Sequence, residues 1–319
     1  MLLLAVRRSL APAAVMLTLL LSACTAASVP GAARLAAAMP ASSPTTPAIS
    51  PMPSAPTPPT QATARMPLTP TSTTTPSATT TRDPRPVAKP DAYRVVGLGD
   101  SVPSGYNCDC ANYVSLYAAQ VERDTGVRTT ASDDAVDGAA SADVLHQLQP
   151  GTPVADSVAR ADFVVLNVGA NDFAEDRADY DAGRCGGADH LDCFRPQLSE
   201  MRASLSRIVQ RIGSLTHGRP VAIRVVDYWN VFEDGGVGRS NGAAFVRDTD
   251  RLTRLVDDQI CAAARDNQAV CVRTYAAFKG ASGDRDATPL LASDGDHPNA
   301  QGHRLLARLV AGTGYAPVI

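Results

Sequence analysis

Three short stretches of this 319-residue chain carry side chains that together could perform acyl transfer. Gly99-Asp100-Ser101 offers a hydroxyl, and Gly169-Ala170-Asn171-Asp172 offers a side-chain amide. Asp294-Gly295-Asp296-His297-Pro298 offers an imidazole with a carboxylate three residues before it. Acyl transfer needs a nucleophile, a base to take its proton, an acid to orient the base, and N–H donors for the oxyanion. Ser101 fits the nucleophile and His297 the base. Asp294 lies on the same turn as His297, close enough to hold the ring. Asp296 competes for that role, but it is adjacent to His297 and the spacing favours Asp294. The expected donors are the backbone N–H groups of Ser101 and Gly138 and the amide of Asn171. Glycine suits the second position because a side chain there would block close approach. Asp172 reads as a brace for its own loop.

Each stretch alone says little, so the weight rests on their order and on the elements that hold them. From residue 91 the chain reads as strand, loop and helix, repeated. Strands are expected at 93–98, 127–131, 163–168, 221–226 and 270–275. Helices are expected at 112–124, 141–148, 195–215, 243–267 and 299–311, from apolar residues at helical spacing and from cap residues such as Gly126. Phe163-Val164-Val165-Leu166-Asn167-Val168 is almost wholly apolar, as expected of a strand covered on both faces. Alternating strands and helices imply a parallel sheet with helices on both sides. Right-handed crossovers then gather the loops that follow strands at one edge, where sites in such folds lie. The Gly-Asp-Ser and Gly-x-Asn-Asp stretches both end apolar strands, and the Asp/His pair immediately precedes the last helix.

On these residues the sequence resembles the SGNH/GDSL hydrolase family over about 93–311. Gly99-Asp100-Ser101 matches that family's first block, Gly138 the second, Gly169-Ala170-Asn171-Asp172 the third, and Asp294 with His297 the fifth. The resemblance implies a flavodoxin-like three-layer α/β/α sandwich with a five-stranded parallel sheet. It also implies esterase or lipase activity on acyl esters with no metal or other cofactor. The implied triad is Ser101, His297 and Asp294, with Ser101, Gly138 and Asn171 around the oxyanion. Two positions depart from the pattern. Val102 follows the serine where the family name carries Leu, and Asp137 precedes Gly138. A carboxylate beside an oxyanion site opposes developing charge, so Asp137 is expected to point away.

Other stretches compete. Gly238-Arg239-Ser240-Asn241-Gly242 fits the G-x-S-x-G nucleophile elbow, which requires a preceding strand. Here Glu233-Asp234-Gly235-Gly236-Val237 precedes it, a flexible polar loop. His303 reads as a packing or capping residue of the last helix. Tyr228 and Trp229 follow the fourth strand and either pack the core or line an acyl or sugar pocket. The 173–196 segment is expected to form a rim or lid.

The first 90 residues differ in kind. Residues 1–24 read as a lipoprotein-type signal peptide, with Arg7 and Arg8, an apolar run and Leu21-Ser22-Ala23-Cys24. The last four resemble the bacterial lipobox, which makes Cys24 the lipidation site. Residues 28–90 hold 15 of the 24 prolines, and the 25–90 segment is expected to be a disordered Pro/Thr/Ala-rich linker. Residues 91–319 form the hydrolase domain. Residues 1–90 carry seven Lys/Arg and one Asp, whereas the remainder carries 22 Lys/Arg and 31 Asp/Glu. An acidic domain argues against nucleic acid as a partner. The expected partners are a small-molecule, lipid or glycan ester substrate and, through a lipid anchor, a membrane. The protein is expected to act as a monomer on the outer face of the cell membrane, or secreted if the lipobox is unused. The alternative is a non-catalytic surface lipoprotein that keeps the fold for binding. Six cysteines remain in an exported domain, an even number that suggests disulfides. Spacing favours local pairs: Cys185–Cys193, Cys261–Cys271 and, in a tighter and more strained ring, Cys108–Cys110. Zinc competes weakly, since nothing completes a four-ligand set.

Overall fold

A computed structural model of the protein describes residues 90–319. The signal segment, Cys24 and all but the last residue of the 25–90 linker lie outside the described residues. The apolar runs form five strands: β1 (Tyr93–Gly99), β2 (Thr129–Asp133), β3 (Phe163–Asn167), β4 (Ala222–Val226) and β5 (Val270–Val272). They lie in the order β2-β1-β3-β4-β5 and every pairing is parallel. All five residues of the central strand β3 are buried, as the apolar run Phe163–Leu166 favours, with Asn167 donating from Nδ2 to the Val226 carbonyl. The fold is the expected three-layer α/β/α sandwich.

The helices are α1 (Ser101–Ser104), α2 (Tyr113–Thr125), α3 (Ser141–Gln147), α4 (Pro153–Ala159), α5 (Ala174–Asp181), α6 (Arg195–Leu215), α7 (Gly235–Ser240), α8 (Ala243–Asp266), α9 (Tyr275–Lys279) and α10 (Ala300–Gly312). Helix α2 starts where Asn112 Oδ1 accepts from the Ser115 N–H and ends at Gly126 with φ 66°. Asn299 caps α10 in the same way, accepting from the N–H groups of Gln301 and Gly302. Packing divides the helices into two groups, α2 with α10 and α6 with α3, α4 and α8.

Two strands shift from expectation. β2 runs two residues later, because residues 129–133 are the ones that pair with Tyr93–Gly97. β5 stops at Val272 instead of continuing to residue 275. There the buried Asp227 carboxylate takes the Thr274 N–H at 2.5 Å, and Thr274 Oγ1 donates to the Asp227 carbonyl at 3.0 Å. That captured turn feeds α9.

All six cysteines of the described region are paired as their spacing suggested. Cys108–Cys110, Cys185–Cys193 and Cys261–Cys271 are disulfides, with Cα separations of 5.1, 4.9 and 5.1 Å.

Candidate active site

The strand order reverses direction at β1, whose neighbours are β2 and β3, and a crevice opens beyond the carboxyl ends at such a switch point. Gly99 at the end of β1 pairs with Asn167 at the end of β3, so the loops that follow both strands emerge side by side. The approach is too close for any other residue. A Cβ on Gly99, whose φ is 136°, would lie 1.9 Å from the Asn167 carbonyl oxygen.

The turn after Gly99 places Ser101 as the first residue of α1. Asp100 caps that helix, its Oδ1 accepting from the Val102 N–H at 3.0 Å. As first residue, Ser101 has no carbonyl one turn back for its own N–H to bond, which leaves that donor for a ligand. Asp100 is buried, and burial pushes its carboxyl up to about 7 against hydrogen bonds from Tyr228 Oη and the Val102 N–H. The Tyr228 contact measures 2.5 Å.

His297 arrives from the loop before α10. Its Nε2 lies 2.8 Å from Ser101 Oγ, and its Nδ1 lies 2.8 Å from Asp294 Oδ2. Asp296 Oδ2 is 3.9 Å from the same Nδ1, so Asp294 is the hydrogen-bonding carboxylate of the two. Asp294 Oδ1 also accepts from the N–H groups of Asp296 and His297. Partial burial of Asp294 pushes its carboxyl up. Hydrogen bonds from the Asp296 N–H, Asn107 and His297 outweigh that and hold it below the usual carboxylate range.

Asn171 reaches the segment that carries Gly138. Asn171 Nδ2 donates to the Ala139 carbonyl at 3.2 Å, beside Gly138. Gly138 has φ 77° and open space around the position of a Cβ, so backbone conformation favours glycine there, and the expected steric block is absent among the described residues. Asp172 braces the loop, accepting from both Oγ and N–H of Ser141 at the start of α3. Asp137 accepts from Ser104 Oγ at 2.5 Å.

A cavity of about 200 Å³ opens at Ser101, with Asn171, Ala174, Arg177, Phe232, Asp296 and His297 in its wall. Tyr228 and Trp229 also border it, although both are almost fully buried. Trp229 stacks on Phe278 at 4.2 Å between ring centroids, so these residues pack the core and present an edge to the cavity. Of the 173–196 segment, Ala174 and Arg177 form rim. The G-x-S-x-G stretch has no strand before it. Ser240 ends α7 and its Oγ donates to the Val237 carbonyl at 2.6 Å. His303 is buried against Tyr113, and burial, then the nearby His297, lowers its imidazole to about 4, so it packs as a neutral ring.

Two residues escaped the sequence reading. Asn107 Nδ2 donates to Asp294 Oδ2 at 2.6 Å, and the Tyr106 ring lies 4.9 Å from that of His297. Both precede the Cys108–Cys110 ring. Asn107 has φ 56°, a conformation asparagine tolerates better than most residues. The cysteine spacing marked the loop as special but gave no partner for it.

Residues 98–305 match the GDSL-like lipase/acylhydrolase family. The chain belongs to this family. It is a carboxylic ester hydrolase of the α/β type. Among solved structures, a lipase from a goat-rumen metagenome is similar at 18% identity and a TM-score of 0.57, covering 71% of this chain and 100% of its own. A protein from Parabacteroides merdae described as a GDSL-like lipase is similar at 15% identity and a TM-score of 0.51, covering 73% and 100%. These likenesses concern the fold. No curated protein matches in sequence.

Proposed function

We propose that this hydrolase is an exported serine esterase working through Ser101, His297 and Asp294. The observation that carries the reading is the continuous hydrogen-bonded chain from Ser101 Oγ to His297 to Asp294 at the mouth of a cavity. Ser101 Oγ attacks the ester carbonyl carbon while its proton passes to His297 Nε2. Asp294 keeps the ring oriented and stabilises the imidazolium. The carbonyl oxygen becomes an oxyanion that accepts from the N–H groups of Ser101 and Gly138 and from Asn171 Nδ2. Asn171 keeps one amide hydrogen for this, since the other is spent on Ala139. Collapse of the intermediate breaks the bond to the alkoxy oxygen, which leaves with the proton from His297. Water, deprotonated by His297, then releases the acid from Ser101. Loss of one oxyanion donor costs about 10²–10³ in turnover.

The substrate is a lipid or short-chain ester, or an O-acetylated glycan. Three disulfides in the described region suit an oxidising compartment and so support export, while lipidation of Cys24 on the outer face of the cell membrane rests on the Leu21-Ser22-Ala23-Cys24 stretch alone. The test is hydrolysis of p-nitrophenyl esters from acetate upward by wild type and Ser101→Ala, with a fluorophosphonate probe for Ser101. Wild-type hydrolysis that the variant loses, with labelling at Ser101, is the expected result. An inert wild type that resists the probe refutes the esterase reading and leaves a binding lipoprotein.

A further inference from the structure

Beside the Ser101 cavity lies a larger one of about 510 Å³, and Arg177 borders both. Helix α5 joins them. Ala174 and Arg177 face the first cavity, and Arg177 and Asp181 face the second. Positions three and four apart share one face of a helix. The Arg177 guanidinium marks the border. It lies 4.7 Å over the Phe232 ring, in the wall of the first cavity, and 4.8 Å over the Phe245 ring, in the wall of the second. Its Nε donates to Asp181 and its Nη1 to Glu233. Two rings and two carboxylates thus fix the group, while its Nη2 hydrogens make no hydrogen bond among the described residues.

We propose that the second cavity is the leaving-group subsite of this esterase and takes a neutral polyhydroxylated alcohol, an oligosaccharide, with Arg177 Nη2 donating to a hydroxyl near the scissile ester. The inference rests on the esterase reading above. Its chemistry follows from the walls. Tyr180, Asp181, His190, Asn241 and Asp248 line the cavity with Phe245. A hydrocarbon tail laid there would strip water from these groups and return no hydrogen bonds. A sugar hydroxyl both donates and accepts, so it can serve a carboxylate and the guanidinium together. An anionic ligand would meet Asp181 and Asp248 in the wall, beside an arginine already paired with Asp181 and Glu233. The cavity volume falls within the range of roughly 300–1,000 Å³ typical of small-molecule sites. Helix α5 carries the groove about 10 Å from Ala174 to Asp181, at 1.5 Å per residue. On the acyl side, the cavity of about 200 Å³ is less than half the volume of its neighbour at about 510 Å³. Asn230 and Asp296 stand in its wall. That suits a short acyl group such as acetyl, not a long chain.

The test measures kcat/KM of the full chain on partially acetylated cello-oligosaccharides and on p-nitrophenyl acetate, and takes their ratio. Asn241→Ala changes an exposed residue of the cavity wall, and Arg177→Met removes the guanidinium. The ratio should fall roughly 3- to 10-fold in Asn241→Ala, the loss expected for one neutral hydrogen bond, and about 10-fold or more in Arg177→Met, whose donor is charged. Ser240→Ala, next to the groove but outside it, should leave the ratio at the wild-type value. A constant ratio in Asn241→Ala and Arg177→Met overturns the proposal. So does a change in the preference for p-nitrophenyl decanoate over acetate instead, because that places the acyl chain in the groove. Wild-type hydrolysis of both substrates with a constant ratio sinks the groove alone. A wild type inert on both sinks the esterase reading with it.

Discussion

Asn107 offers a sharp test of the proposed charge arrangement, because it reaches the Asp294 oxygen that also receives His297 Nδ1. A hydrogen bond to a charged group contributes about 1.5–3 kcal/mol. The Asp294 side chain is 30% exposed, so water partly replaces a lost donor and the lower end applies. At about 1.4 kcal/mol per tenfold, removing the amide should lower kcat about tenfold. KM should hold, since Asn107 is not among the residues lining the Ser101 cavity. Alanine at φ 56° adds backbone strain, whereas glycine does not. Asn107→Gly therefore isolates the hydrogen bond, and any excess loss in Asn107→Ala is strain. Asn107 acts by holding Asp294 in place against His297, so the loss should appear in kcat while the folded chain stays intact. Steady-state kinetics on p-nitrophenyl acetate, with thermal melting as a control, reads both. A tenfold fall in kcat matched by a large fall in melting temperature in Asn107→Gly would mean that Asn107 acts only through the fold. An unchanged kcat in Asn107→Gly would refute the reasoning outright.

Three other outcomes follow from the structure. Asp100 keeps its proton in the folded chain up to about pH 7, while the unfolded carboxyl releases it near 3.8. The folded state therefore binds the extra proton between these values, so stability falls as pH rises from about 4 to 7, by up to ~4 kcal/mol. Urea titrations at several pH values should show that slope, and Asp100→Asn should flatten it; an identical slope in the variant contradicts the assignment. Replacing Cys185 and Cys193 by Ser should cost roughly 2–3 kcal/mol through the reopened loop, and should disturb selectivity among esters more than the triad, since Cys185 borders the proposed subsite. Unchanged melting and kinetics would refute this. Trp229→Ala should destabilise by about 3–5 kcal/mol through lost stacking on buried Phe278, which a denaturant midpoint barely shifted from wild type would exclude.

What could be read in advance was local, and what could not was decided across the chain. β3 was legible because an unbroken apolar run has one good home, a strand covered on both faces. The end of β5 was not, because the carboxylate that captures Thr274 lies 47 residues earlier, on Asp227. β4 falls where its apolar residues put it, yet that run hides Arg224, whose guanidinium reaches the carbonyls of Gly314 and Ala316 near residue 319. Helix α4 escaped notice although Thr152 caps it and Pro153 starts it, a position proline tolerates. Helix α5 buries no residue, so it left no amphipathic pattern to find. The same division runs through the site. Ser101, Asn171 and His297 announce themselves because each follows a strand or precedes a helix within a few residues, and sheet topology brings those ends together without further instruction. Asn107 joins Asp294 across 187 residues, and Arg177 meets Phe232 and Phe245 through three separate segments. The chemistry common to many esterases is thus written in short local stretches. On the proposal above, the choice of ester rests instead on contacts between distant segments, with the groove along α5 as the deciding feature.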